Sequence, residues 1–146
     1  MALIFETENF TLESHDQPEV DRLDGGHIKI NPKIKVTDRT ELSPQLAIEL
    51  MRLTIVAGKA FVEGMKKQGI NIGRINYQDN GNWKPELHVH LYGRAVDATQ
   101  QKFGDPIVPG HKYSYQPLTA EDIHSIKEEI IKIIASPEFQ DDLWRL

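Results

Sequence analysis

Residues 86 to 94 read Glu-Leu-His-Val-His-Leu-Tyr-Gly-Arg, and this alternation constrains the fold more than any other stretch. Along an extended strand successive side chains point to opposite faces. Leu87, Val89 and Leu91 therefore share one face, which can enter a core. Glu86, His88, His90 and Tyr92 share the other, followed by Gly93 and the permanently charged Arg94. A polar surface has no need of a second histidine beside the first, so the row reads as a site.

The neighbouring segments supply partners for such a strand. Residues 2 to 5 and 10 to 13 are short strand candidates, and an acidic stretch from Ser14 to Asp24 reads as a loop ending in Gly25-Gly26. His27-Ile28-Lys29-Ile30 alternates and is closed by Pro32. Ser43-Pro44 offers an N-cap with proline at the first helical position. From there Leu46, Leu50, Leu53, Ala57, Phe61 and Met65 follow helical spacing over residues 44 to 68, and Gly69 stops the helix. Residues 70 to 77 are extended, a polar turn at Asp79-Asn80-Gly81-Asn82 follows, and pairing is expected to resume at Glu86, beyond Pro85. Residues 95 to 117 form a long loop, of the kind more often functional than decorative. Thr119 with Asp122 opens a last helix whose stripe is Ile123, Ile126, Ile130 and Ile133, ending near Ser136-Pro137. This pattern predicts one α+β domain over residues 1 to 146, with an antiparallel sheet.

Charge narrows the partners. The 146 residues carry 17 Lys+Arg against 22 Asp+Glu, a formal net charge of −5. Generic duplex binding needs a basic footprint, so no nucleic-acid partner is expected; a small phosphorylated ligand needs only a local cluster of donors. The absence of cysteine excludes disulfides, thiolate metal sites and cysteine nucleophiles. No run is long enough to span a bilayer, and the opening residues lack a signal-peptide pattern. A cytoplasmic domain with no membrane partner is expected.

The residues alone leave three readings of the histidine pair. His88 and His90 could ligate zinc, iron or manganese, completed by Glu86, His27 or His111. Alternatively, a neutral imidazole attacks phosphorus while its neighbour hydrogen-bonds the leaving oxygen. The plainest reading is two solvent-facing histidines on an edge strand.

Two motifs favour the second reading. Residues 86 to 94 resemble the signature of the histidine-triad superfamily, His-φ-His-φ-His-φ-φ with an arginine often just beyond, and Glu86 stands at the first histidine position. Gly26-His27-Ile28-Lys29-Ile30-Asn31-Pro32-Lys33 resembles that family's Gly-His-x-φ-φ-φ-Pro-Lys strand. Thr40-Glu41-Leu42-Ser43-Pro44 leads into the long helix as it does there. The resemblance covers roughly residues 20 to 95. It implies a five-stranded antiparallel sheet with one long and one C-terminal helix, a homodimer, and no cofactor or metal. The implied activity is hydrolysis or transfer at the α-phosphate of nucleotides, including dinucleoside polyphosphates and nucleoside phosphoramidates.

In this register the resemblance makes His88 the nucleophile and places His90 on the non-reacting or leaving oxygens. His27 falls near the site, Asn76 approximately matches a phosphate-contacting amide, and Asn82 lies in a phosphate-binding turn; Arg94 reads either as a phosphate contact or as a solvated strand-end charge. Trp83 stands where a small hydroxyl residue is usual. A rival register puts His88 first, His90 in the middle and Tyr92 third, but misplaces Gly93-Arg94. In the preferred register the Glu86 carboxylate is expected to hold an imidazole N–H and fix its tautomer. It would also repel phosphate, by ~3 kcal/mol for charges about 5 Å apart at an effective dielectric near 20. The base pocket is expected to be apolar and built from the early strands. His15 and His124 read as surface residues, and Trp144 as a residue able to reach the pocket of either subunit.

Overall fold

The computed structural model describes residues 1–108 and 114–146; His111 lies outside them. One antiparallel sheet has the order β1-β2-β3-β5-β4, formed by β1 (Leu3–Glu6), β2 (Phe10–Ser14), β3 (His27–Pro32), β4 (Ile72–Gln78) and β5 (Val89–Ala95). Helix α1 (Pro44–Lys67) crosses between β3 and β4, and α2 (Ala120–Ala135) follows β5. Helix α2 ends at Ala135 with Ser136 as its C-cap, where the end was expected, and a separate short α3 (Pro137–Gln140) follows. The predicted α+β class and both main helices are found.

The helix boundaries follow from their caps. Ser43 Oγ accepts from the Leu46 N–H at 3.3 Å, with Pro44 in the first turn. Thr119 and Asp122 form a reciprocal capping box, and Arg22 Nε and Nη2 donate to both Asp122 carboxylate oxygens at 2.6 and 2.8 Å. That buried carboxylate thus joins the start of α2 to the 3₁₀ turn Arg22–Asp24 ahead of β3.

Both helices cover one face of the sheet. Leu12, Ile28, Ile30, Val89 and Leu91 enter the core with Leu53, Phe61 and Met65 of α1 and Ile126 and Ile130 of α2. Each such side chain contributes about 1.5–3 kcal/mol by leaving water, and the alternation leaves the other face of the same strands free for polar groups. The register aligns that face: His27 lies opposite Tyr92 and Lys29 opposite His90 across β3–β5, while Glu13 lies opposite Lys29 across β2–β3.

Two glycines let the chain enter β3 tightly against β5. Gly25 has φ +129°, and a Cβ there would sit 2.2 Å from the Gly93 carbonyl oxygen, so any side chain would push the strands apart. Among the described helices none is long and apolar enough to cross a membrane.

Candidate active site

The open face carries a cavity of about 840 Å³, lined among others by His15, Lys29, Asn82, Glu86, His88 and His90. A chain of imidazoles runs along and beneath it. His15 stacks on His27 with ring centroids 4.7 Å apart; His27 and His90 are 4.9 Å apart, and His90 and His88 4.6 Å. His15 was read as a surface residue, yet its N–H donates to the His27 carbonyl at 3.4 Å. Continuing the Ser14–Ile28 pairing by one residue would have found it.

Main-chain atoms fix the tautomers. The Glu19 N–H donates to His27 Nδ1 at 3.2 Å, so the proton of a neutral His27 sits on Nε2. That nitrogen lies 2.8 Å from His90 Nδ1, which must accept, leaving His90 with its proton on Nε2. At the other end, His88 Nδ1 lies 2.7 Å from the Glu86 carbonyl oxygen. A carbonyl only accepts, so His88 carries its proton on Nδ1 and exposes a lone pair on Nε2. The two imidazoles therefore present opposite polarity: His88 a nucleophilic nitrogen, His90 a donor.

Burial favours the neutral form of His15, His27 and His90. Desolvation, aided by the neighbouring His90, holds the pKa of His27 well below its ordinary value; the residue is 1% exposed. Desolvation and then the charge of His88 push His90 down to about 3. Desolvation also lowers His15 and raises the Tyr92 phenol, which stacks on His90.

Several expectations need correction. Pairing resumes at Val89, not at Glu86, because the turn through Pro85 holds Glu86 outside the sheet. Its exposed carboxylate meets Lys84 Nζ at 2.8 Å and no imidazole, and that hydrogen bond lowers its pKa. The backbone carbonyl of Glu86 performs the orientation expected of its side chain. His27 does not line the cavity; it acts on His90 from behind. Asn76 and Arg94 also lie off the cavity. Arg94 is 2% exposed, donates through Nη1 to Asn76 Oδ1 at 2.9 Å, and through Nη2 to the Lys102 and Asp105 carbonyls at 2.7 Å each. Together with Asp24, which accepts the Thr99, Gln100 and Gln101 N–H groups, it staples the loop after β5 onto the sheet. Asn82 does stand on the cavity rim. Trp144 packs on Phe139, with centroids 5.2 Å apart, in the core cluster on the helical face.

The early strands offer no apolar floor. Their cavity-lining residues include Lys29 and Asn31, while apolar contact comes from Ile34, Val36, Leu87 and the 81%-exposed Trp83. Among the described residues, no three His, Asp or Glu side chains converge as a metal would require.

The HIT domain family model matches residues 1–96. No protein of curated function matches the sequence significantly. Among solved structures, a histidine triad protein from Bradyrhizobium japonicum is similar at TM-score 0.63 and 19% identity, over 89% of this chain and 87% of that one. A hypothetical histidine triad nucleotide-binding protein from Sulfolobus tokodaii strain7 gives TM-score 0.60 at 17% identity, over 90% and 85%. A zinc-bound histidine triad family protein from Mycobacterium smegmatis gives 0.57 at 18%, over 90% and 84%. These likenesses concern the fold, and the family model spans most of the chain, including both motifs: the protein belongs to the histidine-triad, or HIT domain, family.

Proposed function

We propose that the protein is a hydrolase or transferase that cleaves at the α-phosphate of a nucleotide phosphoanhydride or phosphoramidate, through a nucleotidyl group on His88. The observation that carries this reading is the opposed polarity of His88 and His90 over one cavity. His88 Nε2 attacks phosphorus, a P–N bond forms, and the bond to the leaving oxygen or nitrogen breaks. As Nε2 is substituted the ring becomes cationic, and its Nδ1–H bond to the Glu86 carbonyl strengthens. His90 Nε2–H is placed to donate to a non-bridging or leaving oxygen in a partly desolvated site, where such a bond counts for more than in water. Water then attacks the phosphorus of the intermediate, the P–N bond breaks, and His88 is restored; the proton that water gives up balances the one the leaving group has taken.

His27 supports the reading by locking His90 in the donor tautomer, and Asn82 on the rim is a further amide donor for phosphate. The nucleotide binding named for the Sulfolobus relative agrees with this choice of substrate. Strand β4 lies at the sheet edge with Gly73, Arg74 and Tyr77 exposed, which supports pairing of a second copy there as a homodimer.

Intact mass after rapid acid-free quenching with a dinucleoside polyphosphate or an adenosine phosphoramidate tests the mechanism. A nucleotidyl increment is expected on the wild type and not on His88→Gly. Turnover of either substrate by His88→Gly at the wild-type rate would overturn it.

A further inference from the structure

The lysines that line the cavity have no role in the chemistry above. Lys29 lies on the open face directly opposite His90, half-buried at the cavity floor. Its cross-strand neighbour on the other side is Glu13, the partner that would ordinarily neutralise it. That carboxylate is engaged elsewhere: Glu13 Oε1 accepts from the Thr11 hydroxyl at 3.1 Å, and Oε2 accepts from Asn31 Nδ2 at 3.1 Å. Among the described residues, no carboxylate lies within ion-pairing distance of Lys29 Nζ. Desolvation is the main influence lowering the Lys29 pKa, and the nearby Glu13 charge offsets it only in part; a desolvated ammonium without a direct ion pair is costly.

The rim has the same sign. Lys33, Lys35 and Lys84 line the cavity with Lys29, against Glu19 and Glu86. Lys84 is matched by Glu86 and Lys33 by Glu6. Among the described residues this leaves Lys29 and Lys35 as the lining cations outside an ion pair, and low-dielectric walls focus the field of such charges on an anion. Lys29 also stands at an apolar position of the Gly-His-x-φ-φ-φ-Pro-Lys pattern.

We propose that Lys29 determines specificity by holding a second anionic group of the substrate, next to the phosphoryl group that His88 attacks. Building on the phosphoryl-transfer reading above, this selects ligands with at least two adjacent phosphates, and hence phosphoanhydrides over phosphoramidates of neutral amines. Lysine suits this role as a compact point charge on a flexible stem. The base is left to the apolar wall of Ile34, Val36, Leu87 and Trp83.

Isothermal titration with AMP and with its non-cleavable diphosphate analogue, adenosine 5′-(α,β-methylene)diphosphate, tests this. The wild type is expected to bind the diphosphate analogue ~10-fold more tightly than AMP, the scale of one charge-assisted hydrogen bond. Lys29→Leu should lose that preference by weakening the analogue and not AMP, and Lys29→Arg should retain it. Thermal unfolding of each variant verifies that the fold is intact. Equal affinities in the wild type, an equal loss of both ligands in Lys29→Leu, or no binding of either by the wild type would each overturn the proposal. The His88 adduct, measured separately with an adenosine phosphoramidate, distinguishes the two levels. An adduct without a diphosphate preference leaves His88 as nucleophile and removes the Lys29 subsite. Absence of both adduct and AMP binding removes the nucleotide reading as well.

Discussion

The imidazole chain makes stability depend on pH in a defined window. His90 has a pKa of about 3 in the folded protein, whereas an unfolded chain gives ~6.5. The unfolded state therefore binds the proton more readily. The stabilisation from keeping His90 neutral is complete above pH 6.5 and is lost progressively as pH falls toward 3. Between pH 8 and pH 5 the loss from His90 alone is about 2 kcal/mol; because its ring is only part-buried, solvent screening reduces this to about 1 kcal/mol. His27 and His15, also lowered, add in the same direction. The carboxylates with depressed pKa, Asp38, Glu41, Glu86 and Glu129, contribute only below their ordinary range of about 4 to 4.5, so the interval from 6.5 to 5 isolates the imidazoles. Urea unfolding at pH 8, 6.5 and 5 measures the loss. Long-range proton–nitrogen NMR spectra at the same pH values report each ring's tautomer. His90 titrating near 6.5, or carrying its proton on Nδ1, would refute both the magnitude and the polarity assigned to the pair.

Three other outcomes are expected. His27→Gln removes the acceptor that the Glu19 N–H finds and loosens His90; kcat for phosphoramidate hydrolysis should fall ~10–100-fold with KM little changed. Glu86→Gln breaks only a solvent-exposed pair with Lys84, so adduct formation at His88 should stay within about fivefold of wild type, as single-turnover mass spectrometry would show. Arg94→Met leaves the Lys102 and Asp105 carbonyls and Asn76 without their donor; it should lower unfolding free energy by about 2–4 kcal/mol while AMP affinity, read by titration, is retained.

The elements that were legible in the sequence were those written in local rules. Ser43-Pro44 and the Thr119–Asp122 pair mark helix starts through short-range hydrogen bonds, and the alternation of β3 and β5 reflects a core on one side only. What the periodicity could not carry was where a side chain stops following its strand. Glu86 reads as the first member of the polar row, but the turn through Pro85 delays pairing until Val89. Arg94 does share the face of His90, yet residues 99 to 105 fold back to Asp24 and Arg94 and seal it. Such loop closure depends on contacts remote in sequence. His15 was hidden for the opposite reason: a polar residue in an acidic loop becomes part of the site only through the strand register that brings it to His27.

The two atoms that set the direction of the imidazole chain, the Glu19 amide and the Glu86 carbonyl, belong to the backbone. A carbonyl cannot be substituted away, so the identity of residue 86 is decoupled from the polarity of His88. A histidine, an alanine or this glutamate would all present the same acceptor, provided the turn is kept. At residue 19 proline is the one replacement that deletes the amide hydrogen. The free lone pair of His88 is thus held by the course of the main chain, whatever side chain stands at residue 86.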